Sequence, residues 1–220
     1  MQIYQFPLRP RTLIFDIDST LYTCPEYAHE QIDSQIRYFA TLRDISAPDA
    51  RALVSDYRKK WAQEHNGARI SLGNLLLAFG ISIEESIEWR KTLFNPFDYL
   101  HKDERLYETL SELSMRYRLV CVTNNPVEPA RKTLEALGVD SLIPEIIGLD
   151  TCFKSKPARE PFELAMQKTE SQASECISIG DRFDIDIALP LDMGMGGILV
   201  NGVEEVYMIP DFLDGALSKF

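Results

Sequence analysis

Four short apolar runs along the chain stop abruptly at polar residues: Leu13–Phe15 before Asp16, Leu119–Val122 before Thr123, Glu145–Ile147 before Gly148, and Cys176–Ile179 before Gly180 and Asp181. Continuous runs predict strands buried on both faces of a parallel sheet, because a half-solvated strand would alternate polar and apolar positions. Between the later runs the period lengthens to a helical one. Leu106, Leu110, Leu113 and Tyr117 share a face, as do Val127, Ala130, Leu134 and Leu137, with Pro126 near the start of that helix and Gly138 just past its end. Phe162, Ala165 and Met166 mark another helix, opened by Pro161. This alternation predicts an α/β fold with a Rossmann-like three-layer core around a central parallel sheet, whose ligands bind beyond the carboxyl ends of the strands.

Between about Tyr22 and Leu100 no strand pattern occurs. Ile32, Ile36 and Phe39 share one helical face, and Leu53, Tyr57 and Trp61 another. Leu72, Leu75, Leu76 and Phe79 precede Gly80, and Ser82 with Glu85 spells a capping box. The expected organisation is a core of residues 1–21 and 101–220 with a small all-helical cap, residues 22–100, inserted after the first strand and lying over its reactive end. Hinges are expected near Thr23–Pro25 and Asn95–Phe97.

Composition narrows the function classes. With 23 Lys and Arg against 34 Asp and Glu, the net charge of −11 repels a phosphate backbone, which argues against nucleic-acid polymers as partners. No stretch approaches the roughly 20 apolar residues of a membrane span, and Met1–Arg11 lacks the basic start and apolar block of a secretory signal, so a cytoplasmic location is expected. Cys24, Cys121, Cys152 and Cys176 form no CxxC pair and read as free thiols. His29, His65 and His101 are expected to be exposed or satisfied locally. Oligomeric state is not encoded in any recognisable pattern.

The chemistry concentrates where the apolar runs end. In an extended chain Asp16 and Asp18 leave the strand on the same side, able to grip one cation or one substrate. Asp-Ile-Asp-Ser-Thr-Leu-Tyr at Asp16–Tyr22, Val-Thr-Asn-Asn at Val122–Asn125, Lys156-Pro157, and Gly-Asp-Arg-Phe-Asp-Ile-Asp at Gly180–Asp186 resemble, in order and spacing, the four motifs of the haloacid dehalogenase superfamily, across nearly the whole chain. The resemblance implies that Asp16 is the nucleophile, Asp18 a general acid/base, Thr123 and Lys156 the holders of a transferring phosphoryl group, and Asp181 a Mg2+ ligand, with Asp186 as the later motif-four acid and Asp184 as its alternative. Lys154 lies two residues before Lys156, and the Lys-Pro match selects the latter. Two departures stand out: Ser19 where the family usually has Gly or Asn, and Arg182 where a small residue is common.

A phosphate dianion near Asp16, Asp18 and Asp181 would meet several like charges, each costing about 4 kcal/mol at about 4 Å and an effective dielectric near 20. Lys156 alone does not offset that, whereas Mg2+ bound through one or two carboxylates does. The expected ligands are the carboxylates of Asp16 and Asp181 and the main-chain carbonyl of Asp18, which leaves the Asp18 carboxyl for proton transfer. Thr123 and the backbone N–H groups around Asn124 and Asn125, at a helix start, form an expected anion cradle.

Family dehalogenases lack an acid at the position of Asp18, so the resemblance favours phosphate esters. The helical insert is similar to the cap of the group containing phosphoglycolate phosphatase, β-phosphoglucomutase and pyrimidine 5′-nucleotidases. The expected activity is a Mg2+-dependent phosphomonoester phosphatase acting on a small phosphorylated metabolite, with a nucleoside monophosphate or phosphoglycolate as examples. A phosphotransferase of the sugar-phosphate mutase type and a non-catalytic aspartyl-phosphate switch are the competing readings. Tyr22 and Arg69 are candidate contacts to the leaving group from the cap.

Overall fold

The computed structural model describes residues 1–67 and 70–217 of the 220-residue chain. Arg69 lies outside the described residues. Two compact units emerge, Met1–Pro25 with Pro96–Phe220, and Glu26–Asn95. These breaks fall a few residues inside the boundaries expected from the sequence.

The first unit is built on a sheet of β1 (Gln2–Tyr4), β2 (Thr12–Phe15), β3 (Arg118–Val122), β4 (Glu145–Ile147), β5 (Cys176–Gly180) and β6 (Gly196–Leu199). Their order across the sheet is β1-β6-β5-β2-β3-β4. Every neighbouring pair is parallel except β1 with β6. The sheet is therefore mixed rather than purely parallel, and the helical insertion follows the second strand in chain order. The four anticipated runs form four contiguous strands of its six, β5-β2-β3-β4.

Side chains of alternate parity face opposite layers. Ile14, Val120, Val122 and Ile147 pack with Phe162 and Ala165 of the helix Arg159–Lys168. The helices Glu104–Ser114 and Val127–Leu137 also pack on β3 and β4. Right-handed crossovers place them on the opposite face, because the chain steps from β2 to β3 to β4 in one direction and returns to β5 in the other. Leu13, Ile14 and Phe15 are at most 1% exposed. Burying each such side chain contributes about 1.5–3 kcal/mol, which anchors the strand whose end carries Asp16.

The second unit consists of the helices Pro25–Arg43, Ala47–Glu64, Leu72–Ala78 and Ile83–Thr92, the first beginning at the boundary residue. Ser82 and Glu85 form the expected reciprocal cap. Two helical faces differ from expectation: Ile32 and Leu53 are exposed, and the core is made by Ile36, Phe39, Ala50, Val54, Leu75 and Leu76. The first two helices are pinned by charge. Asp33 is buried and accepts a forked pair of bonds from Arg51 at 2.6 and 2.8 Å, with Arg37 as a second donor. The Arg51 bonds, aided by Arg37, hold its carboxyl well below the usual carboxylate range. A depressed carboxyl stabilises the fold above its unfolded value near about 4, and that stabilisation is lost as acid titrates it. Asp33→Asn should therefore lower the melting temperature at neutral pH by a few degrees, with the gap to wild type closing below about pH 4; a pH-independent gap in calorimetric scans would contradict the assignment.

Candidate active site

Every motif residue of the core unit occupies the strand-end edge that the sheet topology predicts. Asp16 follows β2, with its N–H bonded to the Ile179 carbonyl of β5. The chain then turns tightly, as the N–H groups of Thr20 and Leu21 return to the Ile17 carbonyl. Ser19 takes a left-handed conformation there with φ +61°. Glycine or asparagine adopts that region more easily than serine, which accounts for the family preference at this position.

Thr123 follows β3 and is buried, and its hydroxyl accepts from the Asn125 N–H at 3.1 Å, which leaves its own proton for donation. The Val127 N–H, the first of the following helix, is held by Asp150 at 2.8 Å. The expected backbone cradle is thus narrower than its sequence suggested, because the Asn125 N–H bonds within the protein. The side chain of Asn124 is used differently again: its Oδ1 accepts from the Lys156 N–H at 2.6 Å and its Nδ2 donates to the Lys156 carbonyl at 3.3 Å. Asn124 therefore fixes the backbone that delivers Lys156.

Lys156 is 4% exposed and its Nζ donates to both Asp16 and Asp186, each at 2.6 Å. Lys154 is exposed, as is Asp184, so of the alternatives left by the sequence it is Lys156 and Asp186 that the structure brings together with Asp16. A π-helical turn, Phe183–Ile187, swings Asp186 back over Gly180, where its carboxylate also accepts the Arg182 N–H at 3.1 Å. Carboxylate oxygens of Asp16, Asp181 and Asp186 come within 4.8 Å of one another.

The electrostatics are those of a site short of positive charge. Burial pushes the Asp16 carboxyl up to about 7; Lys156 opposes this and the neighbouring Asp186 and Asp18 reinforce it. Burial and Asp186 raise Asp181 as well. Burial alone would lower Lys156, but the charges of Asp16 and Asp186 together outweigh it and hold the ammonium above its ordinary range. Asp181 Oδ1 is buried without a hydrogen-bond donor among the described residues, and the Arg182 Nε at 3.8 Å is too distant to serve as one. An unpaired buried carboxylate oxygen beside two more carboxylates fits a hard divalent cation with oxygen ligands.

Asp18 is not one of these three clustered acids, and its carboxylate has donors of its own. Its Oδ1 accepts from the Tyr22 hydroxyl at 2.6 Å and its Oδ2 from Asn125 Nδ2 at 2.8 Å. Tyr22, anticipated as a cap contact, is 3% exposed and belongs to the core unit. The side chain of Asn125 carried no expectation of its own; the repeated Asn after Thr123 was its only signal in the sequence.

The sequence matches the family model of haloacid dehalogenase-like hydrolases over residues 10–193. The chain belongs to that family. This haloacid dehalogenase-like hydrolase is 28% identical to a phosphoglycolate phosphatase of Colwellia psychrerythraea, over 77% of the chain and 75% of the relative. It is 23% identical to the Escherichia coli 5-amino-6-(5-phospho-D-ribitylamino)uracil phosphatase YigB, over 96% and 88%. Among solved structures, the fold superposes on a haloacid dehalogenase-family phosphatase of Thermococcus onnurineus with a TM-score of 0.60 at 20% identity, covering 86% of each chain. No helix among the described residues is long and apolar enough to cross a membrane.

Proposed function

We propose that this haloacid dehalogenase-like hydrolase is a Mg2+-dependent phosphomonoester phosphatase that acts on a small phosphorylated metabolite through an aspartyl-phosphate on Asp16, with the helical unit as its cap. The observation that carries this reading is the separation of two aspartates by environment. Asp16 lies in the ionic cluster with Lys156, while Asp18 is held by two neutral donors outside it. That difference supports a reading of Asp16 as nucleophile and Asp18 as proton carrier. The phosphatase names of the two curated relatives support the same reaction class.

In the proposed reaction the Asp16 oxygen attacks phosphorus and the bond from phosphorus to the ester oxygen breaks. The Asp18 carboxylic acid gives its proton to that oxygen. Water then attacks the phosphorylated Asp16, Asp18 takes a proton from it, and the Asp16–phosphorus bond breaks to release inorganic phosphate. Thr123 and Lys156 hold the phosphoryl oxygens throughout. Asp16 and Asp181, together with the Asp18 carbonyl, are proposed to hold Mg2+, with Asp186 supporting the set. Bound there, the cation would neutralise charge on the phosphoryl oxygens and draw Asp16 into its ionised form.

A panel of phosphate monoesters assayed for released phosphate, with Mg2+ and with chelator, tests this. Turnover of at least one ester that chelator abolishes and Mg2+ restores is expected. Mg2+-independent turnover would contradict the proposed cofactor. Transfer of the group to a second hydroxyl without phosphate release would instead establish the mutase-type alternative.

A further inference from the structure

We infer that Tyr22 and Asn125 are a positioning clamp for Asp18, fixing the plane of its carboxyl group for proton transfer; this rests on the phosphatase reading and assigns two residues that act through the second aspartate. Each carboxylate oxygen has its own donor, Tyr22 Oη on Oδ1 at 2.6 Å and Asn125 Nδ2 on Oδ2 at 2.8 Å. The terminal torsion of an aspartate is broad when unconstrained. Donors on both oxygens, arriving from separate segments of chain, remove that freedom.

Both donors are themselves fixed. Tyr22 follows the turn closed by the Ile17 carbonyl, and Leu21 beside it is fully buried. The Asn125 N–H is bonded to Thr123, and its carbonyl accepts from Leu149 at 2.9 Å. The clamp is also neutral, whereas Lys156 salt-bridges Asp16 and Asp186.

The consequence is a dependence on the leaving group. An alkyl phosphate such as glycerol phosphate releases a basic alkoxide that needs the Asp18 proton as the phosphorus–oxygen bond breaks. p-Nitrophenyl phosphate releases a stable phenolate that does not. Because kcat/KM reports steps up to formation of the aspartyl-phosphate, it isolates the protonation of the leaving group from the later activation of water.

The experiment compares wild type, Tyr22→Phe, Asn125→Ala and Asp18→Asn on both substrates in saturating Mg2+, with circular dichroism and melting temperature as folding checks. For each clamp variant kcat/KM is expected to fall about 10- to 100-fold on glycerol phosphate and to change little on p-nitrophenyl phosphate, the pattern of Asp18→Asn in milder form. Equal losses on the two substrates, or none, in a folded variant would overturn the clamp while leaving the phosphatase reading intact. Either variant suffices should the other fail to fold. Wild type inactive on both substrates would overturn the phosphatase reading and the clamp with it.

Discussion

Asp16→Asn is expected to abolish phosphate release, by roughly four or more orders of magnitude, in a protein that stays folded. The amide keeps the shape of the carboxylate but offers no anionic oxygen to phosphorus, and no other carboxylate takes over, since Asp18 is held by Tyr22 and Asn125 and Asp186 by Lys156. Stability should move the other way in metal-free protein. Burial raises the Asp16 carboxyl from an unfolded value near about 4 to about 7, so the folded state binds the extra proton in that window. Its contribution is present below the unfolded value and is lost as pH rises through the folded one. Metal-free wild type should therefore lose melting temperature relative to Asp16→Asn between those pH values, and Mg2+ should restore the wild type preferentially. Phosphate release together with thermal scans across that range checks both halves; residual turnover in pure variant, or an unchanged gap with pH, would remove Asp16 from the role of nucleophile or from the charge-crowded cluster respectively.

Gly180→Ala should also be damaging, though less so, and it removes no chemical group. A methyl carbon at that position would sit 2.4 Å from Asp186 Cβ, 2.5 Å from its Cγ and 2.7 Å from its Oδ2. Both chains of atoms are fixed: Gly180 pairs with Leu199 of β6, and the main chain of Asp186 is bonded by Ser178 at 2.7 Å. Something must shift, and the shift displaces the carboxylate that Lys156 bridges to Asp16. Turnover should fall at least about 100-fold, since displacements of about 1 Å at a reacting constellation cost that much. Mg2+ should bind more weakly, and stability should drop by about 1–3 kcal/mol from overpacking. Metal titration by calorimetry, phosphate release and denaturant unfolding report the three effects. Wild-type turnover in Gly180→Ala would show that Asp186 need not approach β5 so closely.

The placement of Asp16, Thr123 and Asp181 at one sheet edge was readable because each comes at the end of a buried run whose direction is unambiguous, whereas Lys156 lies beyond β4 and the helix Leu149–Cys152 and was legible only from its Lys-Pro match. The helix Val127–Leu137 was equally readable, and ends where Gly138 reaches φ +77°. What escaped has identifiable causes. β1 has only three residues, too few for a period. β6 begins Gly196-Gly197, which reads as a turn, yet a side-chain carbon at Gly196 would lie 2.5 Å from the Gln5 carbonyl, so glycine is there for close packing within the strand. The exposed Ile32 and Leu53 show that a helical period fixes spacing more firmly than which stripe turns inward. The choice between Asp184 and Asp186 depended on a π-helical turn that adds a residue to the usual period, and no local sequence signal announces one. The bond of Asn125 to Asp18 is a tertiary fact that nothing in the spacing of the motifs encodes, whereas that of Tyr22 spans only four residues and depends on the turn between them.

Because β5 lies directly beside β2 while coming some 160 residues later in the chain, Leu13 opposite Ile177 and Phe15 opposite Ile179, Asp16 and the acids gathered around it come from segments far apart in the polypeptide. A ribosome extrudes Asp16 long before Asp186. A truncation between Asp18 and Asp186 yields a chain with both aspartates of the first motif and no assembled centre. Reactivity towards phosphate esters is thereby withheld from unfinished molecules by topology alone.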